Sequence, residues 1–141
     1  MTVVEKWHGV MKSNDAAKLD DLLADDVVFY SPVVFTPQRG KELTKMYLIA
    51  AGSVFGEKQT RGSSSGDKND VSTFRYIKNI VGDKSALLEF ESEIDGIYIN
   101  GVDLITWNEE GKITEFKVIV RPLQAVNLLH KKMQAMLELI K

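Results

Sequence analysis

Residues 101–116 read GVDLITWNEEGKITEF, two runs of alternating apolar and polar residues around a short turn. Alternation with a period of two marks a half-buried strand. Asn108-Glu109-Glu110-Gly111 supplies a four-residue turn, with glycine where a left-handed conformation is wanted. Counting by two, Asp103 shares a face with Ile105 and Trp107, so a carboxylate stands in an otherwise apolar row. Gly101, just before it, is a candidate bulge. On the second run Thr114, Phe116, Val118 and Val120 share the apolar face, and Glu115, Lys117 and Arg121 lie opposite.

The same pattern continues upstream. Strands are predicted over 72–81, 84–94, 97–108 and 112–121, and Gly82-Asp83 and Asp95-Gly96 are two-residue hairpin signals between the first three. In the second of these strands Ala86, Leu88, Phe90, Ser92 and Ile94 share one face, with Glu89, Glu91 and Glu93 on the other. The acidic row reads as the solvated side of a half-buried sheet. Enclosed, it would instead be an acidic site.

The first third of the chain reads as helix. Thr2-Val3-Val4-Glu5 fits a capping box, and Val3, Trp7, Val10 and Met11 follow at helical spacing. Asn14 is the expected cap of a second helix over 15–24, and Val27-Val28-Phe29-Tyr30 reads as a short strand stopped by Pro32. Over 41–55, Leu43, Met46, Tyr47, Ala50, Ala51, Val54 and Phe55 form one apolar stripe. Residues 56–70, GEKQTRGSSSGDKND, are polar and aperiodic, which predicts a mobile surface loop. Pro122 is expected at the first position of a last helix, striped by Val126, Leu129, Met133, Met136, Leu137 and Ile140. Helices followed by an antiparallel meander give an α+β class, as one domain over 1–141.

Composition sets bounds on function. The chain has 141 residues and a net charge of −2, with no basic block of the kind a phosphate-backbone binder carries, so no nucleic-acid partner is expected. No run approaches the roughly eighteen apolar residues of a membrane span, and MTVVEKWHG lacks a signal peptide's apolar core. Absence of cysteine removes disulfides and thiolate chemistry, and His8 and His130 alone offer little for a metal. The expectation is a soluble cytoplasmic domain with neither metal nor cofactor.

Asp103 is the candidate for chemistry. If its row faces the core, an isolated ionised carboxylate there is costly and its pKa should rise. Perturbed carboxyls in clefts are candidate functional groups. The plain alternative is a structural aspartate bonded to a backbone amide or to Arg39. His8 reads as a rim histidine and His130 as solvated, while Tyr47 and Phe55 are core residues on the simplest reading and pocket lining on the other.

Two stretches, NDAAKLDDLLADDVVFYSPV (14–33) and GVDLITWNEEGKITEF (101–116), together with the order of elements, resemble the nuclear transport factor two-like superfamily. The similarity is to its polyketide-cyclase (SnoaL-like) and ketosteroid-isomerase-like members and covers nearly the whole chain to about Val120. It implies a curved antiparallel sheet wrapped around N-terminal helices, a cystatin-like cone, with an additional C-terminal helix. It does not imply one reaction, because the fold hosts isomerases, cyclases, hydrolases and binders.

In the isomerases a tyrosine on the first helix and a protonated aspartic acid bind the substrate oxyanion, and a second aspartate moves the proton. Carried over without gaps, the tyrosine falls at Trp7, the proton shuttle at Ser31 before Pro32, and the oxyanion aspartic acid at Asp103. Only the last is retained. A serine hydroxyl is no base at neutral pH without an activating partner, and an indole lacks a phenol's acidity. The resemblance thus implies a site with Asp103 as acid or hydrogen-bond donor and Trp7, Ser31, Tyr47, Phe55, Phe90, Trp107 and Phe116 as lining.

Three functions remain open: an isomerase or cyclase-type enzyme, a non-catalytic binder of a small, largely apolar ligand, and a dimeric interaction module. A homodimer is expected in any case. Leu87, Tyr98, Val102, Leu104 and Ile119 fall opposite the pocket side, and a last helix with one apolar stripe covers only part of such a face.

Overall fold

The structure, a computed structural model, describes residues 1–56 and 73–139. The loop expected over 56–70 lies, apart from Gly56, outside the described residues, as does Ile140 of the last stripe. The elements are α1 (Val3–Ser13), α2 (Ala16–Leu22), β1 (Leu23–Tyr30), β2 (Gln38–Arg39), α3 (Lys41–Phe55), β3 (Arg75–Val81), β4 (Ser85–Ile94), β5 (Ile97–Trp107), β6 (Ile113–Arg121) and α4 (Leu123–Leu139). They form an α+β fold around one curved, open six-stranded sheet of order β2-β1-β6-β5-β4-β3. All neighbours are antiparallel except β1 and β6, which run parallel.

Local chemistry explains most boundaries. The capping box of α1 is formed: Glu5 N–H donates to Thr2 Oγ1 at 3.1 Å, and Thr2 N–H donates to Glu5 Oε1 at 2.9 Å. Asn14 closes α1 rather than opening α2, with its backbone in the left-handed region at φ 52°. The cap of α2 is Asp15, whose carboxylate accepts from Ala17 N–H at 2.9 Å and Lys18 N–H at 3.4 Å. That helix stops earlier than its apolar spacing predicts. Leu23 is already extended and begins β1, and a register shift before Val28 absorbs the exposed Asp25 and Asp26. Pro122 lies just outside α4, where its carbonyl accepts the first helical bonds from Ala125 and Val126.

The Asp95-Gly96 and Asn108–Gly111 turns fall where the sequence puts them, with positive φ at Asp95, Gly96 and Gly111, whereas Gly82-Asp83 opens a turn longer than two residues, since Val81 pairs with Ala86. Gly101 is no bulge. The β4–β5 register runs unbroken from Ser85↔Thr106 to Ile94↔Ile97, so the parity that places Asp103 holds along the strand. Glycine is needed there because a Cβ would stand 2.6 Å from both Ile119 O and Phe90 Cζ. The Phe90 ring lies across the backbone of its cross-strand partner.

All three long helices pack on the same face of the sheet. Val3, Val4, Trp7 and Val10 of α1 join Ala86, Leu88, Ile105 and Phe116 in one cluster. Val54 of α3 and Ala125 and Leu129 of α4 join Phe90, Ile94 and Ile99 in a second. Fully burying a side chain such as Phe116 contributes about 1.5–3 kcal/mol, so these clusters hold the helices to the sheet. The placement of α4 differs from the expectation that it partly covers the outer face. Its stripe meets the inner face, and the outer face carries no helix among the described residues.

Candidate active site around Asp103

A cavity of about 60 Å³ lies between the inner face and the helices. Asp103, Trp7, Ser31, Phe55, Phe90 and Phe116 all line it. Tyr47 and Trp107 do not, and both expectations are corrected. Tyr47 stacks on Phe29 with ring centroids 5.5 Å apart, which turns it into the core beside the cavity. Trp107 follows a register shift at the end of β5 and packs against the α1 cluster. Contributions from α4, Leu129 and Met133, complete the wall. A larger cleft of about 740 Å³ shares Trp7, Met11, Leu48, Phe55 and Phe74 with the cavity and extends to His8 and Tyr76.

Asp103 is buried, with 6% of its surface exposed, and it is the one charged-type side chain among the lining residues. Its partner is neither a backbone amide nor Arg39, which is exposed on β2. Tyr76 O–H donates to Asp103 Oδ2 at 2.5 Å. Burial pushes the Asp103 pKa up to about 7, against a smaller opposing effect of that hydrogen bond. The Tyr76 phenol is itself held well above its usual range, first by burial and then by the neighbouring carboxyl charge.

Trp7 and Ser31 take different parts from those the resemblance implies. The Trp7 indole N–H is spent on Tyr76 Oη at 2.9 Å, and its ring packs edge-on against Phe116 with centroids 4.8 Å apart. Ser31 Oγ accepts from the backbone N–H of Val33 at 3.1 Å and of Val34 at 3.4 Å, shaping the turn that brings Pro32 and Val33 to the cavity. His8 packs edge-on against Tyr76 at 5.1 Å, and burial holds its pKa below the usual value.

Tyr76 is the residue the sequence reading missed. Phe74 and Tyr76 sit two apart before the register shift at Tyr76/Lys78, and both pack among the inner-face residues. Two aromatics at strand spacing were the available signal. The acidic row is on the outer face: Arg75 pairs with Glu91, Tyr98 O–H donates to Glu91 at 2.8 Å, and Asn100 Nδ2 donates to Glu89 at 3.0 Å. Among the described residues no group of three or more histidines and carboxylates is placed to hold a metal. No helix among them is long and apolar enough to cross a membrane.

A curved sheet closed by helices over a mainly apolar cavity with a carboxyl at one corner defines the class of cone-shaped pocket folds. The sequence matches no protein-family model and no curated protein. Solved structures do match. A steroid delta-isomerase from Pseudomonas aeruginosa is 28% identical over 96% of this chain and 89% of that one, with a TM-score of 0.81. A protein of cystatin-like fold from Silicibacter pomeroyi is 30% identical over 94% and 83%, with a TM-score of 0.77. A nuclear transport factor two-like protein from Mesorhizobium loti shares 18% identity over 85% and 88%, with a TM-score of 0.67. The chain belongs with the Silicibacter pomeroyi protein in a family of cystatin-like fold, the fold that nuclear transport factor two-like and ketosteroid-isomerase-like structures share.

Proposed function

We propose that this chain is a single small-molecule pocket domain that takes a small, largely apolar ligand with an oxygen against Asp103. One observation carries the reading: a lone carboxyl in a cavity walled mainly by aromatic and aliphatic side chains. Pockets of this make-up, apolar with a few polar groups that fix orientation, are the usual small-ligand sites. The cavity has room for about four to six water-sized groups, which favours a ligand no larger than a single ring at its inner end. The composition-based reading of a soluble, cytoplasmic protein is kept as part of this proposal, with no nucleic-acid or membrane partner.

The test is titration with cyclohexenone and with cyclohexene, its counterpart without the oxygen, followed by backbone and methyl NMR shifts. Saturable shifts at Asp103, Phe90, Phe116 and Leu129, stronger for the ketone, are expected. Shifts confined to the outer face, or none at all, would end the pocket reading.

A second reading, an isomerase or cyclase-type enzyme, is favoured by the protonation of Asp103. With a pKa of about 7 both forms are populated near neutrality, the condition under which a group serves best as general acid or base. The relative from Pseudomonas aeruginosa, a steroid delta-isomerase, points the same way.

A homodimer through the outer face completes the proposal. Ile80, Leu87 and Leu104 are cross-strand neighbours, and Val102 beside Ile119 extends the patch. Tyr98 and Ile119 are about half exposed, and Ile80 is 57% exposed. Among the rim charges Arg75 pairs with Glu91, and Glu89 accepts from the Asn100 amide, which lowers the cost of bringing two copies together there. Light scattering over a dilution series should give twice 15.8 kDa. A mass that stays at 15.8 kDa at the highest concentration excludes the dimer and leaves the pocket reading untouched.

A further inference from the structure

We propose that Trp7 and Tyr76 form a one-way hydrogen-bond chain that positions Asp103, so that its free oxygen offers a proton to an acceptor oxygen of the ligand. This rests on the pocket reading above and assigns its recognition chemistry. An indole N–H only donates, so the Tyr76 oxygen must accept from it. The phenol proton then needs an acceptor of its own. Among the described residues the one within reach is Asp103 Oδ2, at 2.5 Å. Oδ2 is therefore held as an acceptor, and a neutral carboxyl must carry its proton on Oδ1.

Oδ1 has no hydrogen-bond partner among the described residues, and Asp103 lines the cavity. Tyr76 does not line it. Within the small cavity the phenol acts on a ligand through the carboxyl, which makes Tyr76 a positioning residue, and Trp7, whose ring lines the wall, positions it in turn through its N–H. Chains of this kind polarise each successive bond in the same direction. The chain is held from two elements: Trp7 on α1 is wedged against Phe116, and Tyr76 on β3 packs against Phe74 and Phe90. The other titratable group facing the pair is His8 of α1, whose ring edge meets the Tyr76 ring. The ligand end that fits is a carbonyl, ether or hydroxyl oxygen, since an ammonium group would meet a proton.

Carboxyl-carbon NMR across the pH range reads Asp103 directly and separates it from His8. In the wild-type chain the Tyr76 Cζ shift should inflect at the Asp103 midpoint. Tyr76→Phe removes a donor to the charged carboxyl, so the midpoint should rise by about one pH unit or more. Trp7→Phe leaves the phenol without its own donor and should move the midpoint the same way by less. At a pH low enough to keep Asp103 neutral in both proteins, the preference for cyclohexenone over cyclohexene should fall about twofold in Tyr76→Phe, because the carboxyl proton is then free to sit on either oxygen. A Tyr76 signal blind to the Asp103 midpoint, or an unchanged midpoint in Tyr76→Phe, overturns the chain, and the first needs no variant to fold. Binding of neither probe by the wild type overturns the ligand half together with the pocket reading, while the titration still judges the chain.

Discussion

Asp103→Asn should be less stable than the wild type at about pH 4 and gain on it steadily up to about pH 8, with the difference changing across the interval between. In the unfolded chain an aspartate titrates near 3.9. In the fold burial moves Asp103 to about 7. Below the lower value both states hold the proton, and the carboxyl adds no pH dependence. Between the two the folded state holds it more tightly, so each rise in pH takes stability away. Above the upper value the loss is complete. The full displacement corresponds to about 4 kcal/mol, an upper figure for one carboxyl.

Other groups act in the same range with other signs. The Glu91 carboxyl is held low first by Arg75 and that of Asp20 by Lys45, so their stabilisation fades only in acid. Burial holds His8 low, so it gains stability as pH rises through its unfolded value. These groups are common to both proteins and cancel in the difference curve. The amide keeps an acceptor for Tyr76 and leaves an N–H₂ at the cavity, a roughly constant offset of about 1–3 kcal/mol. Urea unfolding at several pH values measures the curve. A difference that does not change between about pH 4 and 8 would mean that Asp103 is ionised in the fold at neutrality.

The sequence made the inner face of the sheet readable and left its neighbours unread. Parity along 101–107 put Asp103, Ile105 and Trp107 on one side because β4 and β5 pair without a slip, and period-two arguments survive only where that is so. At Tyr76/Lys78 and at Thr106/Trp107 the register shifts, and there parity misleads: Ile77, Ile80 and Val81 are exposed in a run that reads as apolar. The parallel contact of β1 with β6 joins residues far apart in sequence, as Phe29 with Phe116, and no local pattern encodes it.

For the site, the lone carboxyl was legible because a charge in an apolar row is costly and therefore conspicuous. Its partner was not. A tyrosine on a strand reads as an ordinary aromatic until the fold brings it beside a residue 27 positions away. The same holds for Trp7. Its place on the first helix was correctly read as inward, yet what its N–H donates to depends on β3.

Isomerisation of a simple 3-oxo steroid should be undetectable or very weak, despite the 28% identity to a steroid delta-isomerase. A positioned acid or base typically contributes 10²- to 10⁴-fold, and the position that should shuttle the proton holds Ser31. Its oxygen already accepts two backbone bonds, and no second carboxylate is among the residues lining the cavity. The donor expected at Trp7 is spent on Tyr76. Size acts in the same direction: about 60 Å³ is well short of the roughly 300 Å³ or more of typical ligand pockets. Absorbance of the conjugated enone gives the rate directly. Ser31→Asp is the informative companion, because a carboxylate there can still accept from Val33 and Val34 while offering its second oxygen to the cavity. Activity that appears only in that variant would place the missing function at residue 31. Wild-type turnover on the scale of an authentic isomerase would instead show that a base outside the 60 Å³ cavity reaches the substrate, and that the site is built across the larger cleft.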